Sequence, residues 1–434
     1  MFCPAPEGTG VIRLACTRRI FGGIKTTRLV RLIAVLMFGL SFLAGRGRPV
    51  GVPSTAALDE PSPSEAKLLT LANAIPSKAN RMATFIAGMD GDSADGLVSL
   101  RNHSEWKAFK ARTDSQWAAL SDTLEKIRRW ANAEFPDLVE SERDVFYPFG
   151  GPDFLYVNTV YPNASQYVLF GLEYPGLMPD LIDIPADSLQ YFLWELNKSL
   201  SSMLRLKFFV TKEMIKDLRR EYLQGTIPML MYFMARTGHR IISIQPVRID
   251  SNGTVVYTDA WSGKRRYNTG VEFLFRKNDS IRIQKLTYVS IDVSDDALKR
   301  NPNASRFLAN IESDVTTYIK AASYLMHREG FVAIRETILS KSASILEDDS
   351  SIPFKYFTPA IWKVTLYGDY IKPIDSFWEC FQPDLYAAYL KDSKHIDFDL
   401  GYGKATNLLS AIRKQAGKVS PSRKKGDFRI HAGG

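Results

Sequence analysis

Residues 239–292 read HRIISIQPVRIDSNGTVVYTDAWSGKRRYNTGVEFLFRKNDSIRIQKLTYVSID. Apolar and β-branched residues alternate with polar ones in this stretch, which is the pattern of half-buried strands. The pattern predicts four strands, at His239–Asp250, Val255–Ala260, Val271–Arg276 and Ile281–Asp292. Asn252-Gly253 between the first two suits a type I′ hairpin turn. We therefore predict an antiparallel β-meander.

Amphipathic helices are predicted on both sides of this stretch, and they can cover the apolar face that such a sheet exposes. Apolar residues at helical spacing place them at 105–135, 187–206, 226–235, 303–326, 331–346 and 405–415. A further helix is predicted to begin at Thr211, and a short one at Pro383–Lys391. Further strands are predicted at Tyr167–Leu172 and His395–Leu400, and Ser351–Pro373 is predicted to be strand and loop. The predicted fold class is α+β, with an antiparallel β-meander core covered by helices and an N-terminal helical region.

The net charge of +9 belongs to the ends of the chain. Residues 1–58 hold eight Lys and Arg against one acid, and residues 412–434 hold seven against one. The part between them has 41 basic and 45 acidic residues, which argues against a nucleic-acid partner. We divide the chain into four parts. They are a signal peptide or signal-anchor with its linker (1–58), a helical region (59–143), a mixed α/β core (144–411) and a basic disordered tail (412–434).

The N-terminal segment has the pattern of an export signal. Leu32–Ala44 is an apolar run of 13 residues, preceded by several arginines. A membrane span needs about 20 residues, so this length suits a signal peptide, or an uncleaved signal-anchor that would be the only contact with a membrane. We predict a location outside the cytoplasm, in the periplasm, secreted or anchored.

Two segments carry a resemblance. Residues 147–156 read YPFGGPDFLY and residues 348–353 read DDSSIP. Both resemble signatures of an uncharacterised family of exported bacterial proteins. The resemblance spans most of residues 144–410 and implies an extracytoplasmic setting, but no activity, ligand or catalytic residue.

Known nucleophile, zinc and P-loop motifs are absent from the sequence. Asp153 and Glu173 are carboxylates within an aromatic-rich segment, a combination that suits carbohydrate binding or cleavage. The alternative is that these aromatic residues pack in the core, as such runs more often do. Asp348 and Asp349 follow a predicted helix and could form an acidic lip of a pocket, or a polar loop that bonds to its own backbone.

His395, Asp397 and Asp399 lie at alternate positions of a predicted strand and so would share one face. An imidazole with two carboxylates suits a divalent metal or a general acid–base pair, and Glu347, Asp348 and Asp349 could approach it. A solvated strand face shows the same alternation. We predict no cofactor beyond a possible divalent metal at these residues.

Two functional hypotheses remain from the sequence. The first is a non-catalytic binding or scaffolding protein of the cell envelope, whose partner is envelope carbohydrate or another envelope protein. The alternative is a hydrolase or other enzyme that acts on envelope carbohydrate through the carboxylates named above. Convergent carboxylates in one deep pocket would favour the enzyme.

Overall fold

The computed structural model describes residues 77–93, 95–182, 184–206, 223–259, 268–402 and 405–414. All of them belong to one compact unit, Pro61–Gly434. The predicted export segment, the predicted helix that begins at Thr211 and residues 415–434 of the predicted tail lie outside the described residues.

Ten strands form one mixed sheet. They are β1 (Val145–Tyr147), β2 (Gln166–Gly171), β3 (His239–Ile249), β4 (Val255–Tyr257), β5 (Thr269–Lys277), β6 (Gln284–Ser290), β7 (Val315–Ile319), β8 (Ser342–Glu347), β9 (Trp362–Gly368) and β10 (Asn407–Arg413). The order across the sheet is β4-β3-β5-β6-β2-β1-β7-β8-β10-β9. Neighbours from β6 to β8 are parallel, and the pairs outside this block are antiparallel.

The α+β class is confirmed, but an antiparallel meander as the core is wrong. The four strands predicted in residues 239–292 exist, yet β5 pairs with β3, and the three residues of β4 lie at the outer edge. The sheet also continues past β6, which pairs in parallel with β2 from Gln166↔Lys285 to Gly171↔Ser290. Strand pairing across about 120 residues leaves no local pattern in a sequence, so alternation alone could not show it.

Helices cover both faces of the sheet. In chain order they are α1 (Lys78–Ile86), α2 (Val98–Arg101), α3 (Ser104–Glu134), α4 (Pro136–Val139), α5 (Phe154–Val160), α6 (Ala186–Leu206), α7 (Ile227–Arg236), α8 (Asp295–Arg300), α9 (Pro302–Ala309), α10 (Val332–Lys341) and α11 (Pro383–Lys391). Short 3-10 turns lie at Leu325–His327, Glu329–Phe331, Phe354–Tyr356 and Asp375–Cys380. Two hydrophobic cores result, one with α1, α3, α5, α6 and α7, and one with α8 to α11.

Three predicted helices contain strands instead. The predicted helix 303–326 is α9 followed by β7, the predicted helix 331–346 is α10 followed by β8, and the predicted helix 405–415 is β10. Every residue of β7 is buried, with Tyr318 in one core and Ile319 in the other. A strand buried on both faces loses the two-residue alternation and reads like a buried helix. The predicted helices 105–135, 187–206 and 226–235 are present as α3, α6 and α7.

Candidate functional site

A crevice opens at the carboxyl ends of the parallel strands. The chain leaves β1 toward β2 on one side, whereas β7 and β8 lie on the other side of β1. Helices therefore diverge at this point, and doubly wound sheets bind ligands in the gap that results. A cavity of about 270 Å³ lies there. It is lined by Phe149, Gly151, Phe170, Gly171, Leu172, Glu173, Ile291, Asp292, Val293, Ser294, Ala321, Ala322, Ser323, Leu325 and Phe331. We call it the switch-point crevice.

Two glycines let the backbone approach closely at the floor of the crevice. Gly151, in the turn between β1 and α5, has φ +56°. A Cβ atom added to Gly171, at the end of β2, would lie 3.1 Å from the Gly151 Cα and would collide with the Glu173 carboxylate. Any larger residue at Gly171 would therefore displace Glu173 from its position.

Glu173, one of the predicted site carboxylates, lines the crevice just after β2. Its side chain is buried, and the Tyr288 hydroxyl donates to its backbone oxygen at 2.8 Å and lies 3.4 Å from its Oε2. Burial, followed by the negative charge of Glu173, raises the pKa of Tyr288 well above its usual range. Tyr288 therefore remains a neutral hydrogen-bond donor to Glu173.

Asp153, the predicted partner of Glu173, has a different role. Its carboxylate accepts a hydrogen bond from the Tyr156 backbone N–H at 3.2 Å and so caps α5. It also accepts one from the Tyr147 hydroxyl at 2.8 Å and pairs with Lys320 Nζ at 2.9 Å. The Lys320 ammonium lies 4.6 Å from the centre of the Tyr156 ring. Asp153 thus connects Tyr147, Lys320 and the start of α5 at the end of β1.

The turn after β7 forms one wall of the crevice in a strained conformation. Ala321, Ser323 and Tyr324 have φ values of +51°, +55° and +53°. Residues other than glycine adopt this region at a cost of about 1–3 kcal/mol each, and such residues concentrate at ligand sites. The surrounding protein must therefore hold the turn in place.

The predicted acidic segment after β8 supplies that support. The carboxylate of Asp348 accepts the Ala321 N–H at 2.7 Å, and the Ser350 hydroxyl accepts the Ala322 N–H at 2.8 Å. The Tyr402 hydroxyl accepts the Ser323 N–H at 3.0 Å. Both aspartates are buried, and the side chain of Asp348 also accepts the Ser350 N–H at 3.1 Å.

Asp349 lies in a separate buried network. It accepts hydrogen bonds from the Tyr324 hydroxyl at 2.7 Å and from Asn407 Nδ2 at 3.0 Å. Burial, followed by the charge of Asp348, raises the pKa of Asp349 to about 7. Burial also raises the pKa of Asp348 and that of Glu347. Three consecutive carboxyl groups thus resist ionisation at the end of β8.

His395, Asp397 and Asp399 do not lie on a strand, so the predicted strand His395–Leu400 is wrong. Only Lys394 forms an isolated bridge, with Tyr367. The three side chains are exposed, and Asp397 Oδ2 is 3.9 Å from Lys126 Nζ. Over the described part of the chain, no three His, Cys, Asp or Glu side chains come together in a group that could hold a metal ion. The strand on which we based the metal prediction is absent.

Several residues near the crevice were not predicted as site residues from the sequence. Lys320, Tyr324 and Asp292 each follow the end of a parallel strand, which is where doubly wound sheets place functional residues. That rule could have identified them if β6 and β7 had been recognised as parallel strands. Tyr402 gives no such signal, because only the tertiary fold brings it to Ser323.

Comparisons with protein families, with curated proteins and with solved structures gave no match. Within the described residues, no helix is long and apolar enough to cross a membrane.

Proposed function

We propose that this protein binds a small ribose-bearing molecule in the switch-point crevice. The observation that carries the proposal is the position of Glu173, a buried carboxylate just after β2 that lines the cavity. In doubly wound sheets, an acidic residue about 20 positions beyond the glycine turn after the first strand hydrogen-bonds the ribose hydroxyls. Glu173 follows Gly151 by 22 residues. The likeness between Glu173 and that acidic residue is one of fold and position.

Two further features support a nucleoside-like ligand. The cavity volume of about 270 Å³ lies just below the usual range for small-molecule sites, which favours a ligand of small size. Phe149 and Phe331 form an aromatic wall, with ring centres 6.2 Å apart. Such a wall suits a flat ring, because aromatic groups pair favourably at these distances.

Glu173→Gln is expected to weaken binding of adenosine at least about tenfold while the protein remains folded. A neutral amide loses the charge-assisted acceptor that two ribose hydroxyls need. Isothermal titration calorimetry on the full chain measures this effect. Glu140→Gln is the matched control, because Glu140 is exposed and away from the lining residues. Equal affinity of the wild type and Glu173→Gln would contradict the proposal.

A second candidate is carbohydrate hydrolysis, as in the alternative from the sequence. It is favoured by two carboxyl groups, Glu173 and Asp292, which line one cavity. Glycosidases use such a pair. Release of nitrophenol from nitrophenyl glycosides, abolished by Glu173→Gln and by Asp292→Asn, would support it. No release above that of the double variant would exclude it for those glycosides.

The location outside the cytoplasm is a separate proposal, based on the apolar run Leu32–Ala44 and the arginines before it. We expect a C-terminally tagged full chain to be found outside the cytoplasmic fraction of a bacterial host. Replacing three leucines of the run by aspartate is expected to retain it inside, because a charged segment no longer serves as a signal. An identical distribution of both chains would contradict this location.

A further inference from the structure

We propose that the switch-point crevice selects a ribose-bearing ligand that carries a positive charge and no phosphate. This inference rests on the proposed function and adds the charge of the ligand. It is carried by the charges that line the cavity, by the helix ends around it and by its aromatic wall.

The lining residues that the structure describes include carboxyl groups but no cations. Glu173 and Asp292 both line the crevice, and among the described lining residues there is no lysine, arginine or histidine. Lys320 follows β7 and precedes the lining residue Ala321, but its side chain is 2% exposed and pairs with Asp153 at 2.9 Å. Its charge is therefore compensated within the protein. A phosphate in the crevice would lie beside these two carboxyl groups, and none of the described lining residues offers it a cation.

The helices that begin beside the crevice offer no anion site either. Free backbone N–H groups at a helix N-terminus are what usually holds a phosphate in this type of fold. Here Asp153 occupies the start of α5, since it accepts the Tyr156 N–H. Asp295 occupies the start of α10 and accepts the N–H groups of Val332 and Ala333 at 3.1 and 3.0 Å. Protein carboxylates thus already fill the places where a pyrophosphate would bind.

The start of α8 is capped by a neutral side chain. The Ser294 hydroxyl accepts the Ala297 N–H at 3.4 Å, and Asp292 in turn accepts the Ser294 N–H at 3.0 Å. Asp292 is half-buried at the rim of the cavity. Its carboxylate has acceptor capacity beyond this one bond, which is available to a cationic or hydroxyl group of a ligand.

The aromatic wall favours a cation for a further reason. Phe149 lies 6.4 Å from Phe170 and 6.2 Å from Phe331, measured between ring centres. Phe149 has φ +63°, so a strained backbone holds this ring at the crevice. Aromatic faces attract a cation within about 6 Å. Carboxylates and phenyl rings that line the same cavity suit a sulfonium or an ammonium group attached to a nucleoside.

The test compares four probes by calorimetry on the full chain. The probes are S-adenosylmethionine, which carries a positive sulfonium group, adenosine, ATP and NAD. We expect S-adenosylmethionine to bind about tenfold more tightly than adenosine, and ATP and NAD to bind at least about tenfold more weakly than adenosine. Asp292→Asn is expected to reduce the preference for the cation, whereas Asp296→Asn, whose side chain is exposed, leaves it unchanged.

The outcomes separate the two proposals. Equal or tighter binding of ATP or NAD would overturn the charge selection and leave ribose binding in place. Equal affinity for adenosine and S-adenosylmethionine would overturn the positive charge. Absence of binding by all four probes, in a chain whose thermal unfolding is cooperative, would overturn the proposed function itself.

Discussion

Lys320→Met is expected to destabilise the fold by about 3–5 kcal/mol. The side chains of Lys320 and Asp153 are 2% and 1% exposed, and their charged atoms are 2.9 Å apart. Removing the cation leaves a buried carboxylate without its counter-charge, which costs far more than the lost contact itself. Asp153 also caps α5 and holds Tyr147, so the defect would spread to the turn before the crevice. Urea unfolding followed by far-UV circular dichroism measures the change.

Two further variants identify the cause of this loss. Asp153→Asn in the Lys320→Met background removes the stranded charge, keeps an acceptor for the Tyr156 N–H and should recover most of the stability. Lys299→Met is the matched control, because Lys299 pairs with Asp296 and both side chains are 76% exposed. It should cost at most about 1 kcal/mol. A Lys320→Met variant no less stable than Lys299→Met would refute the account of the buried pair.

Stability is expected to fall as the pH rises from about 4 to about 7, through Asp349. Its pKa is raised from 3.8 to about 7 by burial and by Asp348. Between these values the folded chain holds a proton that the unfolded chain has lost, so raising the pH favours unfolding. The stabilisation is complete below the unfolded pKa and is lost as the pH passes through the folded one. A shift of this size corresponds to about 4 kcal/mol.

Asp349→Asn isolates this contribution, because the amide keeps the size of the side chain and does not titrate. The unfolding free energy of the wild type, minus that of the variant, should decrease by up to about 4 kcal/mol from pH 4 to pH 7. Glu347 and Asp348, whose pKa values are also raised, act in the same direction in both proteins. Asp384→Asn, at an exposed position, is the control. A constant difference across this pH range would contradict the raised pKa.

Local patterns predicted the elements that have one exposed face. Helix α3 was predicted from the spacing of Trp106, Phe109, Leu120 and other apolar residues, and these are buried in the structure. The strands of residues 239–292 were predicted equally well from alternation. Helix α3 and strand β3 each expose one face to water, so the polarity of their residues repeats with the period of the element. Strands β5 and β6 are buried along most of their length.

The candidate site was predicted only in part, for a related reason. Asp153, Glu173, Asp348 and Asp349 all lie around the carboxyl ends of the parallel strands, although Glu173 alone among them lines the cavity. His395, Asp397 and Asp399 are exposed and away from the crevice lining. Polarity alone does not separate a buried carboxylate held by backbone N–H groups from one that faces solvent.

The sequence by itself determined the α+β class, the elements with a single buried face and several of the carboxylates near the site. Only the tertiary structure decided that the strands β6, β2, β1, β7 and β8 run parallel and that a crevice opens where their connections diverge. Parallel neighbours are joined through long crossovers and are buried on both faces. Their pairing therefore depends on contacts between distant residues, for which no local periodicity exists.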